Sequence, residues 1–90
     1  MNMNAEKVAA LKHDGYDNVY VWNAGSNEED PDHSHTFDTH LEVLEGGIEI
    51  KMNNKTITLN QTDTADILRN VIHCGKASAN GCLYIVAEKH

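Results

Sequence analysis

Fourteen Asp and Glu residues against seven Lys and Arg give this chain of 90 residues a formal net charge of -7 with histidines neutral. That balance leaves no basic stripe to displace counterions from phosphates, so nucleic acid and anionic membrane surfaces are excluded as partners. One domain spanning residues 1–90 is expected at this length, with little stability to spare, a deficit that small domains offset with a metal or a partner subunit.

In chain order, Ala5-Glu6-Lys7-Val8-Ala9-Ala10-Leu11-Lys12 are good helix formers, with Asn4 as the expected N-cap and Gly15 at the C-terminal left-handed position. A short helix over residues 4–14 follows, with Ala5, Val8 and Leu11 as a narrow apolar stripe. The rest, residues 18–88, reads as strand and turn. Val19 to Trp22 is β-branched and aromatic. Asn23 to Asp32 is polar, holds Gly25 and the only proline, Pro31, and reads as a loop whose Glu28, Glu29, Asp30 and Asp32 are solvated. Leu41 to Glu45 alternates, Gly46-Gly47 reads as a turn, and Ile48 to Met52 alternates again. Asn53-Asn54 is a hairpin signal before the alternating Lys55 to Leu59. Ala65 to Leu68, Val71 to Cys74 and Cys82 to Ala87 complete the strands, with a loop from Gly75 to Gly81. Short strands with frequent turns predict a β-sandwich or small barrel.

Cys74 and Cys82 are too few for a disulfide framework. Met1 to Lys7 lacks the apolar centre of a signal peptide, and no apolar run approaches the roughly 20 residues of a membrane-spanning helix. A cytoplasmic, reducing setting is the expectation.

His33 and His35, spaced i and i+2, share one face if they lie on a strand, within reach of one metal ion. The stretch from His33 through His35 and His40 to Gly47 resembles the first motif of the cupin superfamily, G-x5-H-x-H-x3,4-E-x6-G, with His40 standing in place of its usual Glu. Thr62 to Ala77 is similar to the second, G-x5-P-x-G-x2-H-x3-N, with His73 at its metal-binding histidine. Departures are clear: Thr62, Leu68 and Asn70 stand for Gly, Pro and Gly, Ala77 for Asn, and Gly25 lies two positions further from His33 than the motif has it. Asn70 can itself adopt a left-handed backbone. The resemblance implies a small single-domain cupin, an all-β double-stranded β-helix (jelly-roll) barrel with one short N-terminal helix.

It also implies a divalent transition metal, Zn, Fe, Ni or Cu, since a neutral imidazole set suits these over Mg or Ca. The expected ligands are His33, His35, His40 and His73. The third position has two registers. Aligning Gly47 puts His40 there, through a bulge near Phe37-Asp38; aligning Gly46 puts Thr39 there, which strand parity with Leu41 and Val43 favours. Asp38 reads as a turn former and Cys74 as a buried inert thiol. Trp22, Tyr20 and Tyr84 read as barrel wall, with Tyr84 the one that can reach the pocket.

No general base stands out beside the histidines, so catalytic residues are unassigned. Three functions remain open: a metal-dependent enzyme, of dioxygenase or isomerase type by resemblance, acting on a small oxygen-bearing molecule; a module that binds metal or a small ligand without turnover; and a barrel whose metal only stabilises folding. A homodimer is expected, with Val19 to Trp22 as its interface element.

Overall fold

Most strands are about five or six residues long, and two in this chain are far longer. The computed structural model describes residues 3–90. It contains helix α1 (Met3–His13) and strands β1 (Asn18–Ala24), β2 (Glu29–His33), β3 (Asp38–Met52), β4 (Lys55–Asn60), β5 (Thr64–Ile67) and β6 (His73–Lys89). The long strands β3 and β6 pair antiparallel along almost their whole length. Every other strand pairs with one of these two.

Both long strands pass from one layer to the other. The first half of β3 pairs with β5 and with the last half of β6, which carries β1 on its other side. The second half of β3 pairs with β4 and with the start of β6, which carries β2. Two antiparallel layers result, joined through shared strands, which is the jelly-roll expected. The crossing lies where the register shifts between Val43 and Glu45 and between Gly46 and Ile48. Gly46 has φ +77°, and a Cβ there would sit 2.1 Å from the Gly81 carbonyl oxygen, so only glycine allows the strands to approach this closely.

The shift also sets which residues face inward. Thr39, Leu41 and Val43 line the inside before the bend, and Ile48 and Ile50 after it, opposite Cys82, Tyr84 and Val86. The alternate residues of the first layer, Leu44, Ile85 and Ala87, face outward with Val19 and are covered by Val8 and Leu11 of α1 and by Tyr16. Burying a side chain such as Ile85 or Val43 contributes about 1.5–3 kcal/mol. Lys7 forms an ion pair with Glu42 and ties the helix to β3. Gly15, at φ +101°, ends the helix as expected.

Four local expectations need correction. Gly46-Gly47 makes a bend inside one strand, not a turn between two. Gly75 to Gly81 lies within β6, because pairing with β3 and β2 overrides the low strand propensity of Gly, Ser and Asn. The acidic loop contains β2, whose Glu29 and Asp30 pair with Lys76 and Gly75. Asn4 lies inside α1 instead of capping it. No helix among the described residues is long and apolar enough to cross a membrane.

Thr62 replaces a motif glycine and is left with φ +76°, a region unfavourable for a β-branched residue. The turn persists because Thr62 N–H donates to the Val43 carbonyl (2.9 Å) and the Asp63 carboxylate accepts from Asn60 N–H (2.8 Å). Relief of roughly 1–3 kcal/mol of strain exceeds the roughly 0.5–1 kcal/mol entropic cost of glycine. Thr62→Gly should therefore raise the urea midpoint, whereas Thr62→Ala should gain less; a Thr62→Gly protein less stable than the parent contradicts this account of the turn.

Candidate metal centre

His33 closes β2 directly opposite His73, the first residue of β6. The ladder slips between Asp30 and His33, across Pro31, whose missing N–H makes a break there inexpensive. His35 follows in the connection to β3, and its carbonyl accepts the Asn70 N–H at 2.7 Å. Asn70 holds φ +66°, filling the left-handed role of the motif glycine it replaces. One hydrogen bond thus fastens the segment carrying His35 to the turn that leads into His73.

The three imidazoles converge. Their ring centroids are 4.2 Å apart for His33–His73, 4.9 Å for His33–His35 and 5.3 Å for His35–His73. One ligand nitrogen from each lies within 4.8 Å of the others. Metal–nitrogen bonds of about 2.0–2.1 Å need nitrogens roughly 3–4 Å apart, which small ring rotations supply.

The hydrogen bonds settle which nitrogens face the centre. His33 Nδ1 lies 2.6 Å from the Pro31 carbonyl oxygen, and His73 Nδ1 lies 3.0 Å from that of Val71. A carbonyl oxygen only accepts, so each Nδ1 carries the proton and each Nε2 keeps its lone pair. Both histidines use the carbonyl two residues upstream, the outer-shell arrangement that orients metal-binding imidazoles. His35 is steered differently, stacked on Phe37 at 4.7 Å and 20°. Burial first, then the neighbouring charges of His33 and His73, hold its pKa below the usual histidine value, with Glu88 opposing.

His40 stands apart. It pairs with Asp66 and Ala87, its Nδ1 is 2.8 Å from Asp66 Oδ1, and its ring lies against Tyr16. It faces away from the other three because β3 keeps strict alternation from Asp38 to Val43, without the bulge that would turn it inward. His40 as a fourth ligand is therefore corrected: Thr39 occupies the inward position. Asp38 is engaged by Arg69 through its backbone N–H (2.9 Å) and guanidinium, and these bonds hold its pKa below the usual range. Cys74 is half-exposed rather than buried, and desolvation followed by Asp32 raises its pKa, keeping the thiol protonated.

The histidines sit in the wall of a cavity of about 450 Å³, otherwise lined mainly by Leu41, Ile48, Ile50, Ile67, Val86 and the aromatic Tyr20, Trp22 and Tyr84. Burial pushes the Tyr84 phenol pKa up, so it stays protonated. Two polar residues of this region were not singled out from the sequence as groups acting together. Thr39 is buried, and its Oγ1 has no hydrogen-bond partner. Glu88 lies directly opposite Thr39 on β6, on the same face as Tyr84 and Val86. Its signal was a charged residue continuing the inward alternation of Tyr84 and Val86.

Solved structures share this fold. A cupin-2 domain protein from Shewanella frigidimarina matches with a TM-score of 0.70 at 23% identity, covering 80% of this chain and 69% of that one. A cupin superfamily protein from Desulfitobacterium hafniense gives 0.72 at 15% identity, over 80% and 66%. An RmlC-like cupin from Shewanella frigidimarina gives 0.70 at 17%, over 80% and 65%. No family model and no curated protein matches the sequence. The fold of this chain is the cupin fold, and its three clustered histidines are those at the motif positions.

The lowered pKa of His35 makes stability pH-dependent. The unfolded chain takes up a proton near pH 6.5 while the folded protein resists it, so this contribution is complete above that pH and declines as the pH falls below it. The thermal midpoint of metal-free protein should drop between about pH 7 and about pH 5.5, and His35→Gln should flatten that dependence. An unchanged pH dependence in the variant argues against a resisted protonation at His35.

Proposed function

We propose that this protein is a metal-binding cupin that holds one divalent transition ion on His33, His35 and His73 and receives a small oxygen-bearing molecule in the adjoining cavity. The observation that carries this reading is the pair of backbone carbonyls that lock His33 and His73 in the tautomer with Nε2 free. Three neutral nitrogens suit Zn, Fe, Ni or Cu. Bound there, such an ion would supply Lewis-acid polarisation of a ligand oxygen or acidification of a water.

The chain's own residues do the rest. The apolar wall excludes water and strengthens polar contacts inside. A closed structural site takes four protein ligands, and among the described residues three converge, which favours chemistry or ligand exchange over a purely structural ion. A binding module without turnover uses the same three residues.

Metal analysis of protein made without an affinity tag tests the site. About one equivalent per chain is expected, and His33→Ala and His73→Ala should each weaken binding by more than about tenfold. His40→Ala should keep its metal. Full occupancy in the His73→Ala protein contradicts the assignment.

We also propose a homodimer formed through β1, and residence in the cytoplasm, where the thiols of Cys74 and Cys82 stay reduced. Among the described residues β1 pairs with β6 alone and exposes Tyr20, Val21 and Trp22, the open apolar edge that invites strand pairing. Light scattering at micromolar concentration should give twice the 10.0 kDa chain mass, and Val21→Lys should halve it. A wild-type monomer rules the dimer out.

A further inference from the structure

One hydroxyl in the cavity wall has nothing to bond. Thr39 is 7% exposed and lines the cavity. Its Oγ1 is the one buried side-chain polar atom without a hydrogen-bond partner among the described residues. Leaving such a group unpaired is costly, and a bound group that pairs with it removes the penalty. The strand register says where this hydroxyl stands. Thr39 lies seven positions before Gly46 on β3, and His73 pairs with Met52, six positions after it. Because the strand folds over at Gly46, Thr39 and His73 stand at matching heights in facing layers, which pack about 10 Å apart. Between that level and the bend, the wall is Leu41 and Val86 on one layer and Ile48 and Ile50 on the other. The cavity thus has a polar end, with three imidazoles and one hydroxyl, and is mainly apolar beyond it.

Charge selects the head group of a ligand. The backbone carbonyls fix His33 and His73 as neutral rings, so an ion held there would keep its full double charge. No Lys or Arg lines the cavity among the described residues, and Asp30, its acidic residue, is exposed and screened by solvent. Glu88 stands opposite Thr39 but outside the lining, its carboxylate engaged by Asn18 and Tyr20. Neither acid belongs to the group that gathers within 4.8 Å. Coulomb energy scales with charge over distance. A carboxylate oxygen roughly 2 Å from a doubly charged ion is therefore attracted several times more strongly than either acid repels it. A second charge at the far end of the ligand would enter the apolar wall, where burial without a partner is expensive.

We propose that the cavity binds a monocarboxylate with a short apolar tail, and that the Thr39 hydroxyl is the protein donor that fixes its head. One carboxylate oxygen faces the three histidines and the other accepts a hydrogen bond from Thr39. The tail points toward the bend at Gly46 and packs among Leu41, Ile48, Ile50 and Val86. A dicarboxylate of the same shape is disfavoured by the apolar wall, and a neutral head by the weaker attraction to the ion. This names the ligand class of the metal-binding reading given above and rests on that reading.

The test uses the whole chain loaded with Zn²⁺ and dialysed free of excess ion. Calorimetry follows three probes of one shape: isocaproate, its neutral counterpart isocaproamide, and the dianion succinate. Isocaproate should bind at least about tenfold more tightly than either of the others, and zinc-free protein should lose that preference. Thr39→Val removes only the orphaned oxygen and should weaken isocaproate about tenfold, since hydrogen bonds to charged groups are the stronger ones. Thr39→Ser should hold the affinity within about twofold, and the wild-type comparison keeps the test open where Thr39→Val fails to fold. Zinc content, measured on the same samples, should be equal in all three proteins. Zinc-loaded wild type that binds isocaproamide or succinate as tightly as isocaproate overturns the ligand class and leaves the metal reading standing. A preference that survives zinc removal does the same. Unchanged affinity in Thr39→Val overturns the role of the hydroxyl, and zinc lost from that variant makes Thr39 a ligand of the ion and overturns it too. A wild-type chain that takes up no zinc overturns both readings.

Discussion

The architecture depends on one close approach, the backbone of Gly46 against that of Gly81. Two strands of this length, paired throughout, would otherwise form a flat ribbon with one face in water. The contact lets both bend at the same level, so each runs up one layer and down the other. The start of β6, with His73, and its later part, with Tyr84 and Val86, then line the same cavity although 11 positions separate His73 from Tyr84 in sequence. Any side chain at position 46 would meet the facing carbonyl, and the two layers would open. The site is a consequence of that fold-over before it is a property of any histidine.

Orientation of the imidazoles follows from a second, smaller constraint. His33 and His73 each come two residues after a carbonyl that the ladder does not use, one freed by the slip at Pro31 and the other in the turn at Val71. Irregular backbone here does what regular strand could not, because a ladder carbonyl is already engaged. The Asn70 N–H on the His35 carbonyl then couples the two segments. Pre-organisation of this kind removes part of the entropic cost of gathering ligands around an ion.

Legibility in the sequence followed the range of the interaction. Local signals were readable: the helix and its glycine stop, the alternation in Leu41 to Leu59, the His33–His35 spacing, and the left-handed tolerance of Asn70. What depended on pairing partners was not. Gly75 to Gly81 has a loop composition and becomes strand only because β2 and β3 flank it. Gly46-Gly47 carries a turn signal that is used for a bend. The choice between Thr39 and His40 turned on whether one bulge existed, a matter of a single backbone residue that composition does not encode. Glu88 escaped notice because a lone acidic residue near a chain's end reads as solvated until Asn18 and Tyr20 are seen to hold it.

The central claim is that His33 and His73 are held by backbone carbonyls with Nε2 presented to a common point. Nitrogen-15 correlation spectroscopy of the histidine side chains addresses it directly, without reference to any activity. In metal-free protein above about pH 7, both rings should appear as neutral tautomers protonated at Nδ1. Addition of Zn²⁺ should shift the Nε2 resonances of His33 and His73, shift one ring nitrogen of His35, and leave His40 unmoved. Rings protonated at Nε2, or a zinc-induced shift at His40 in place of His73, would contradict the account.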